Sequence, residues 1–253
     1  DYDHWAAVGN AGWSWDDVLP YFIRSERNQR GADDFHGDRG PQGVSDVDRP
    51  NTLARAFIAG CVEAGYPANN DFNGASQEGA GPYQLITWKG RRCSTATGYL
   101  KPARKRHNLT IETNAHVCRL EFSGTRADTV VYRQHGQEKR ALARREIILS
   151  AGALQSPQLL QLSGIGDAVH LKEKGINVVH DLKGVGKNLQ DHLMMRPVYK
   201  VKNIKTLNKK INSVMGKILI GMEYIIYRKG PLTMGASQLC GFAKSDSSRE
   251  TPN

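Results

Sequence analysis

The sequence has no apolar run that approaches the roughly 20 residues of a membrane-spanning helix. It opens on DYDHW, without the basic and apolar segments of a secretory signal. Hydrophobic residues make up 39% and charged residues 24% of its 253 positions, which is typical of a globular protein. These features predict a cytoplasmic protein with enough chain for one large domain or two modest ones.

Cysteine is scarce, and Cys61, Cys93, Cys118 and Cys240 stand far apart without a C-x-x-C pair. This spacing favours reduced thiols over a zinc site or a disulfide framework. The eight histidines form neither H-x-x-x-H nor H-E-x-x-H, so local spacing predicts no metal site. The sequence also lacks the G-x-S-x-G turn of the α/β-hydrolases, which argues against hydrolysis by serine.

Acidic residues are outnumbered, and the formal net charge of +10 raises nucleic acid or an anionic membrane as a partner. The basic clusters at 101–106, 139–145 and 200–210 carry no interleaved stacking aromatics and no zinc-knuckle or helix-turn-helix pattern. We therefore predict a solvated basic face and no nucleic-acid partner.

The most informative segment runs from 145 to 192. Residues 146–150 form a short apolar run, which predicts a buried strand, and the small residues Ala151, Gly152 and Ala153 follow it. Ser156 is predicted to cap the next helix and Pro157 to fit its first turn. Such a strand, small-residue corner and helix start place free amides where open α/β sheets bind nucleotides.

Other segments have simpler patterns. Residues 109–113, 115–122 and 129–133 alternate polar and apolar side chains and predict an antiparallel meander beside the 146–150 strand. Helical spacing between Asn51 and Gly65 predicts a helix that packs the face of Leu53, Ala56 and Phe57 inward. Residues 29–50 predict a loop. Residues 209–227 predict a helix that faces the core, with a membrane-surface helix as the alternative.

The usual dinucleotide fingerprint is missing. G-x-G occurs at Gly79, Gly164 and Gly184, but none of the three extends to G-x-G-x-x-G. The chain therefore lacks the loop that would hold a pyrophosphate.

Two segments nevertheless resemble a known family. Residues 150–166 (SAGALQSPQLLQLSGIG) resemble the second signature of the glucose-methanol-choline (GMC) flavoprotein oxidoreductases, and residues 184–192 (GVGKNLQDH) are similar to that family's next segment. Further agreement lies at 13–22, 35–43 (FHGDRGPQG), 77–81, 90–100 (GRRCSTATGYL), 108–113 and 230–233. These segments cover nearly the whole chain in order. The chain is therefore identified as a member of that family, and it resembles the choline and alcohol dehydrogenase branch.

The resemblance implies a mixed α/β fold. It assigns residues 1–107 mainly to substrate-domain helices and loops, and residues 108–192 to part of a Rossmann-like FAD-binding domain with an antiparallel meander. Residues 193–253 would begin the substrate-binding sheet and helix. The family's amino-terminal FAD loop and its carboxyl-terminal catalytic part have no counterpart here, so we expect an internal fragment.

The resemblance also implies site residues. Val117 would meet the adenine of FAD through its backbone, and Ala151 and Gly152 would lie near the adenosine. The catalytic histidine is expected beyond Asn253, and no residue here is given a catalytic role. Choline-oxidising relatives place a carboxylate in the strand where this chain has Gln238, and a neutral amide cannot pair with a trimethylammonium group.

These points predict oxidation of a primary alcohol by hydride transfer to the flavin, with electrons passed to a quinone or another non-oxygen acceptor. Choline oxidation is the near alternative, and a non-catalytic binding module is the second. For the location, we expect a cytoplasmic protein, with peripheral contact to a membrane as the alternative.

Overall fold

The computed structural model describes residues 1–48, 50–204, 206–235 and 237–252. The chain forms two compact units, one of residues Asp1–Leu109 with Val201–Asn253, the other of residues Thr110–Lys200. The fold is mixed α/β, as the sequence predicts.

The helices are α1 (Tyr2–Ala7), α2 (Trp15–Ser25), α3 (Thr52–Glu63), α4 (Lys101–Ala103), α5 (Gln155–Leu162), α6 (Ala168–Glu173), α7 (Leu207–Ile211) and α8 (Val214–Tyr227). A π-helical turn, Ala96–Leu100, precedes α4, and a 3-10 turn, Pro231–Thr233, follows α8. The strands are β1 (Glu26–Asn28), β2 (Gln42–Asp46), β3 (Gly79–Pro82), β4 (Gln84–Leu85), β5 (Thr87–Trp88), β6 (Arg91–Arg92), β7 (His116–Ser123), β8 (Arg126–Gln134), β9 (Gln137–Leu142), β10 (Ile165–Gly166), β11 (His180–Asp181) and β12 (Leu239–Phe242).

The described residues of the first unit form three small sheets. Strand β2 lies between β1, which is parallel to it, and β4, which is antiparallel. Strands β3 and β12 pair antiparallel, with Gly81 opposite Cys240, and β5 and β6 form a hairpin. The predicted 29–50 loop contains strand β2, whose backbone pairs with β1 on one side and with β4 on the other.

Helix α3 begins and ends where the sequence predicts. The Asn51 side chain accepts a hydrogen bond from the Ala54 amide at 2.8 Å, and Gly65 supplies a positive φ of 95° after the helix. The predicted inward face is confirmed only in part, because Leu53 is half-buried but Phe57 is 55% exposed, and the fully buried residue is Ala54. The apolar spacing of Ala56 and Phe57 is real, but the helix packs through the neighbouring face.

The second unit is built on the β7-β8-β9 meander, against which α5 packs. Its core contains Leu120, Val131, Leu159 and Leu171. The second and third predicted strands correspond to β7 and β8. Residues 109–113 form no strand, and the third strand is β9 instead. All six side chains of β9 are exposed, so it lacks the apolar alternation that would have revealed it.

The predicted 146–150 strand is also wrong. These residues form no regular element, and Ile148 is 79% exposed. A strand in the interior of a parallel sheet needs hydrogen-bonding neighbours on both sides. None of the described segments of this chain pairs with residues 146–150.

The predicted 209–227 helix is two helices, α7 and α8. The break falls at Asn212 and Ser213, where the Ser213 hydroxyl accepts a hydrogen bond from the Gly216 amide at 3.3 Å and caps α8. The prediction that this segment faces the core is wrong, because Ile220 is the one buried residue of α8. Among the residues described, no helix has the length and apolar character to cross a membrane.

Candidate functional site

The small-residue corner before α5 is open. Gly152 has a φ of 94°, and a Cβ built on it would meet no heavy atom of the described residues within 4 Å. Its neighbour Ala151 is exposed. A flat ligand could therefore approach the main chain here without meeting a side chain.

Ser156 organises this corner differently from the prediction. Helix α5 already begins at Gln155 and has no side-chain cap at Leu154. The Ser156 hydroxyl instead accepts a hydrogen bond from the Ala151 amide at 3.0 Å, and the Ser156 amide donates to the Gly152 carbonyl at 2.9 Å. Ser156 therefore holds the corner against the first turn of α5, and Pro157 lies in that turn as predicted.

A cavity of about 470 Å³ lies beside the corner. One wall comes from residues 153–161, and the other from residues 184–189. The side-chain Nε2 of Gln161 donates a hydrogen bond to the Val185 carbonyl at 3.2 Å and joins the two walls. The two segments that carry the family resemblance thus face one cavity.

One positive charge lines this cavity. Lys187 is 3.0 Å from the carboxylate of Asp167. The hydrogen bond from Lys187, together with those from backbone amides of α6, lowers the pKa of Asp167. Asp167 therefore stays ionised, and it caps α6 through the amides of Val169 and His170.

Val117 lies in β7, which is an edge strand of the meander. It pairs with Tyr132 on β8, is 37% exposed, and sits beside a register shift before Arg119. The outer edge of β7 carries no further strand among the described residues. At this edge the Leu120 amide donates to the Ser163 hydroxyl of α5, and a contact between the Val117 backbone and an adenine would be made beside it.

Ser163 joins the strand of Val117 to the helix after the corner. Its buried hydroxyl accepts a hydrogen bond from the Leu120 amide of β7 at 2.8 Å and donates to the Leu159 carbonyl of α5 at 2.6 Å. This double contact sets α5 against β7.

We expect Ser163→Ala to lower the free energy of unfolding by about 2 kcal/mol, because the buried Leu120 amide loses its acceptor. Urea denaturation monitored by circular dichroism would measure this loss. The exposed Ser248→Ala is the control and should change stability by less than about 0.5 kcal/mol. Equal midpoints for the two variants would contradict the coupling.

The residues present fit a flavin nucleotide. The test is whether bulky neighbours fill the corner, and a Cβ on Gly152 would meet open space. The corner precedes a helix start, the Val117 strand lies at the edge of the meander, and α5 packs against that strand. Val117, Ala151 and Gly152 all belong to the second unit.

Gln238 belongs to the first unit and is half-buried. Its side-chain oxygen accepts a hydrogen bond from the Asn51 amide at 3.0 Å, and its carbonyl accepts one from the Tyr83 amide at 3.3 Å. Gln238 therefore holds the start of α3 with its amide oxygen, and this is the ordinary structural hydrogen bonding that is the alternative to a place in the substrate pocket.

The sequence reasoning also missed His36, a buried residue of the FHGDRGPQG segment. Its Nδ1 is 2.7 Å from Glu26 and its Nε2 is 3.0 Å from Asp71. Burial alone lowers the pKa of His36, but the hydrogen bonds and charges of Glu26 and then Asp71 outweigh burial and raise it. The imidazolium thus links three segments of the first unit.

The side chains of Asp33, His36 and Asp71 have ligand atoms within 4.8 Å of one another and could hold a cation. We assign none, because both ring nitrogens of His36 already bind carboxylates.

Comparison with known proteins agrees with the resemblance. The family model described as GMC oxidoreductase matches residues 1–194. Oxygen-dependent choline dehydrogenase of Chromohalobacter salexigens is 46% identical, over 100% of this chain and 46% of that protein. The chain thus spans about half the length of the curated relatives that it matches.

Solved structures show the same likeness. An FAD-dependent oxidoreductase from Chaetomium thermophilum aligns with a TM-score of 0.84 at 27% identity, over 95% of this chain and 45% of the other. Formate oxidase from Aspergillus oryzae, solved in work on FAD modification, aligns with a TM-score of 0.81 at 26% identity, over 95% and 43%.

Proposed function

The chain belongs to the GMC oxidoreductase family, and from that membership we propose that its full-length protein oxidises a primary alcohol by hydride transfer to FAD. The observation that carries this proposal is the family match over residues 1–194. FAD is the cofactor that the family and its solved members indicate, and when bound it supplies the hydride acceptor.

In that reaction, the residues of this chain would bind the FAD. We propose that Val117 contacts the adenine through its backbone and that Ala151 and Gly152 lie against the adenosine. The open corner at Gly152 and the position of Val117 in an edge strand support these contacts. The hydrogen bonds of Ser156 and Ser163 fix the corner and strand β7 relative to helix α5.

For the substrate, we propose an uncharged primary alcohol, with Gln238 in the wall of its pocket. A neutral amide offers no charge to a quaternary ammonium ion. The electrons would pass to a quinone or another non-oxygen acceptor. Choline is the second candidate, because the curated relatives are named choline dehydrogenases.

A matched pair of substrates separates these candidates. Choline and 3,3-dimethyl-1-butanol differ in replacing the charged nitrogen by carbon, so their rates of anaerobic flavin reduction isolate the charge. We expect the neutral alcohol to reduce the flavin of the full-length protein at least as fast as choline. If choline reduces the flavin about a hundredfold faster than the neutral alcohol, or more, choline is the substrate instead. Reduction by neither would contradict the proposed oxidation.

The acceptor is tested on the reduced protein. Reoxidation by a soluble quinone is expected to outpace reoxidation by dissolved oxygen at equal concentration. Faster reoxidation by oxygen would contradict the proposed acceptor and leave the alcohol oxidation intact.

A further inference from the structure

A second cavity, of about 630 Å³, lies in the first unit and is lined by five arginines. They are Arg27, Arg39, Arg91, Arg92 and Arg106. Among the described residues, no aspartate or glutamate lines this cavity, and the rings of Trp88 and Tyr99 form part of its wall. The cavity therefore combines concentrated positive charge with aromatic surface.

Arg27 is stacked on an aromatic ring of the cavity wall. Its Cζ lies 4.1 Å from the centre of the Trp88 ring, so the guanidinium stacks on the indole. Its Nε is buried and has no hydrogen-bond partner among the described residues. A buried N–H without an acceptor costs free energy, and an anion that draws the Arg27 side chain toward the cavity would relieve that cost.

Within the described residues, no ion pair is found for Arg91, Arg92 or Arg106. Arg91 and Arg92 form strand β6, and Arg106 follows α4. The one ion pair found for the five within the described residues joins Arg39 to Asp38 at 3.6 Å, and the Arg39 side chain is 94% exposed. The arginines therefore raise the affinity of the cavity for negative charge.

We propose that this cavity binds a multiply charged oxyanion, such as a phosphate-bearing or polycarboxylate molecule. The guanidinium group has a rigid fork of donors that matches two oxygens of phosphate or carboxylate at once. The stacked Arg27 presents that fork in a fixed plane, and the wider cavity leaves room for the rest of the molecule. The proposal does not depend on the proposed alcohol oxidation.

Calorimetric titration of the full-length protein, with FAD bound, tests the site. Inorganic pyrophosphate and citrate are the probes, at an ionic strength held constant with chloride. We expect one of them or both to bind with a Kd below about 1 mM. Preference for pyrophosphate would identify a phosphate-bearing ligand, and preference for citrate a polycarboxylate. Absence of binding by both would overturn the proposal.

Variants locate the binding. The double variant Arg91→Gln with Arg106→Gln is expected to weaken binding at least about tenfold. The double variant Arg24→Gln with Arg55→Gln removes the same charge from exposed positions outside the cavity and should leave binding unchanged. Equal weakening in the two double variants would show general attraction to a basic protein and would overturn the assigned site. Equal melting temperatures would confirm that each variant is folded.

Discussion

Replacing Gly81 by alanine is expected to remove most of the stability of the first unit. A Cβ at Gly81 would lie 1.5 Å from the carbonyl oxygen of Asn69 and 2.7 Å from its carbon. That backbone cannot yield easily, since the Asn69 amide donates to the Ala80 carbonyl and the Ala80 amide donates to the Pro67 carbonyl, each at 2.9 Å. We expect a loss of about 4 kcal/mol or more, measured by urea denaturation.

Gly60→Ala is the matched control. Gly60 lies inside α3, where an added Cβ would meet nothing within 4 Å of it. Alanine has the higher helix propensity, so this variant should gain about 0.5–1 kcal/mol. A Gly81→Ala variant as stable as the wild-type protein would show that the close approach of residues 67–70 to β3 is incorrect.

The second large effect concerns His36. We expect His36→Gln to lower the free energy of unfolding by about 3 kcal/mol below about pH 6.5, because Glu26 and Asp71 then lose the buried cation between them. Since the folded pKa is raised, the stabilisation in the wild-type protein is complete below the unfolded pKa. It is lost as the pH rises through the folded pKa.

The pH dependence separates this effect from a simple packing loss. The gap in stability between wild type and His36→Gln should narrow as the pH rises through the raised folded pKa of His36. The exposed His107→Gln in the same unit is the control and should follow the wild-type curve at every pH. A gap that stays constant with pH would contradict a charged His36 and leave a packing role only.

Local signals determined what the sequence could predict. The limits of α3 follow from Asn51 and Gly65, and those of β7 and β8 from alternation and from turns at Gly124 and Gly136. Because such signals depend on residues a few positions apart, one sequence is enough to detect them.

Long-range contacts determined the rest. The 146–150 segment has the apolar character of a strand, but pairing depends on partners elsewhere. His36 lies 10 positions from Glu26 and 35 from Asp71, so its network had no visible pattern. For the candidate site, the sequence identified the open corner at Gly152, whereas the bond from Ala151 to Ser156 emerged only from the structure.

We propose that the corner at Gly152 lies against a flavin nucleotide, and the retention of FAD by variants of this corner is the decisive measurement. Gly152 and Gly175 share a positive φ, 94° and 71°, and a Cβ at either would meet nothing within 4 Å. Leucine therefore strains the backbone at both positions, and more at Gly152, whose φ lies further from the left-handed α region. We expect Gly152→Leu in the full-length protein to lose FAD, with a Kd raised at least about tenfold, while Gly175→Leu keeps it. Equal FAD retention by the two variants, measured from the flavin absorbance after dialysis, would contradict the claim.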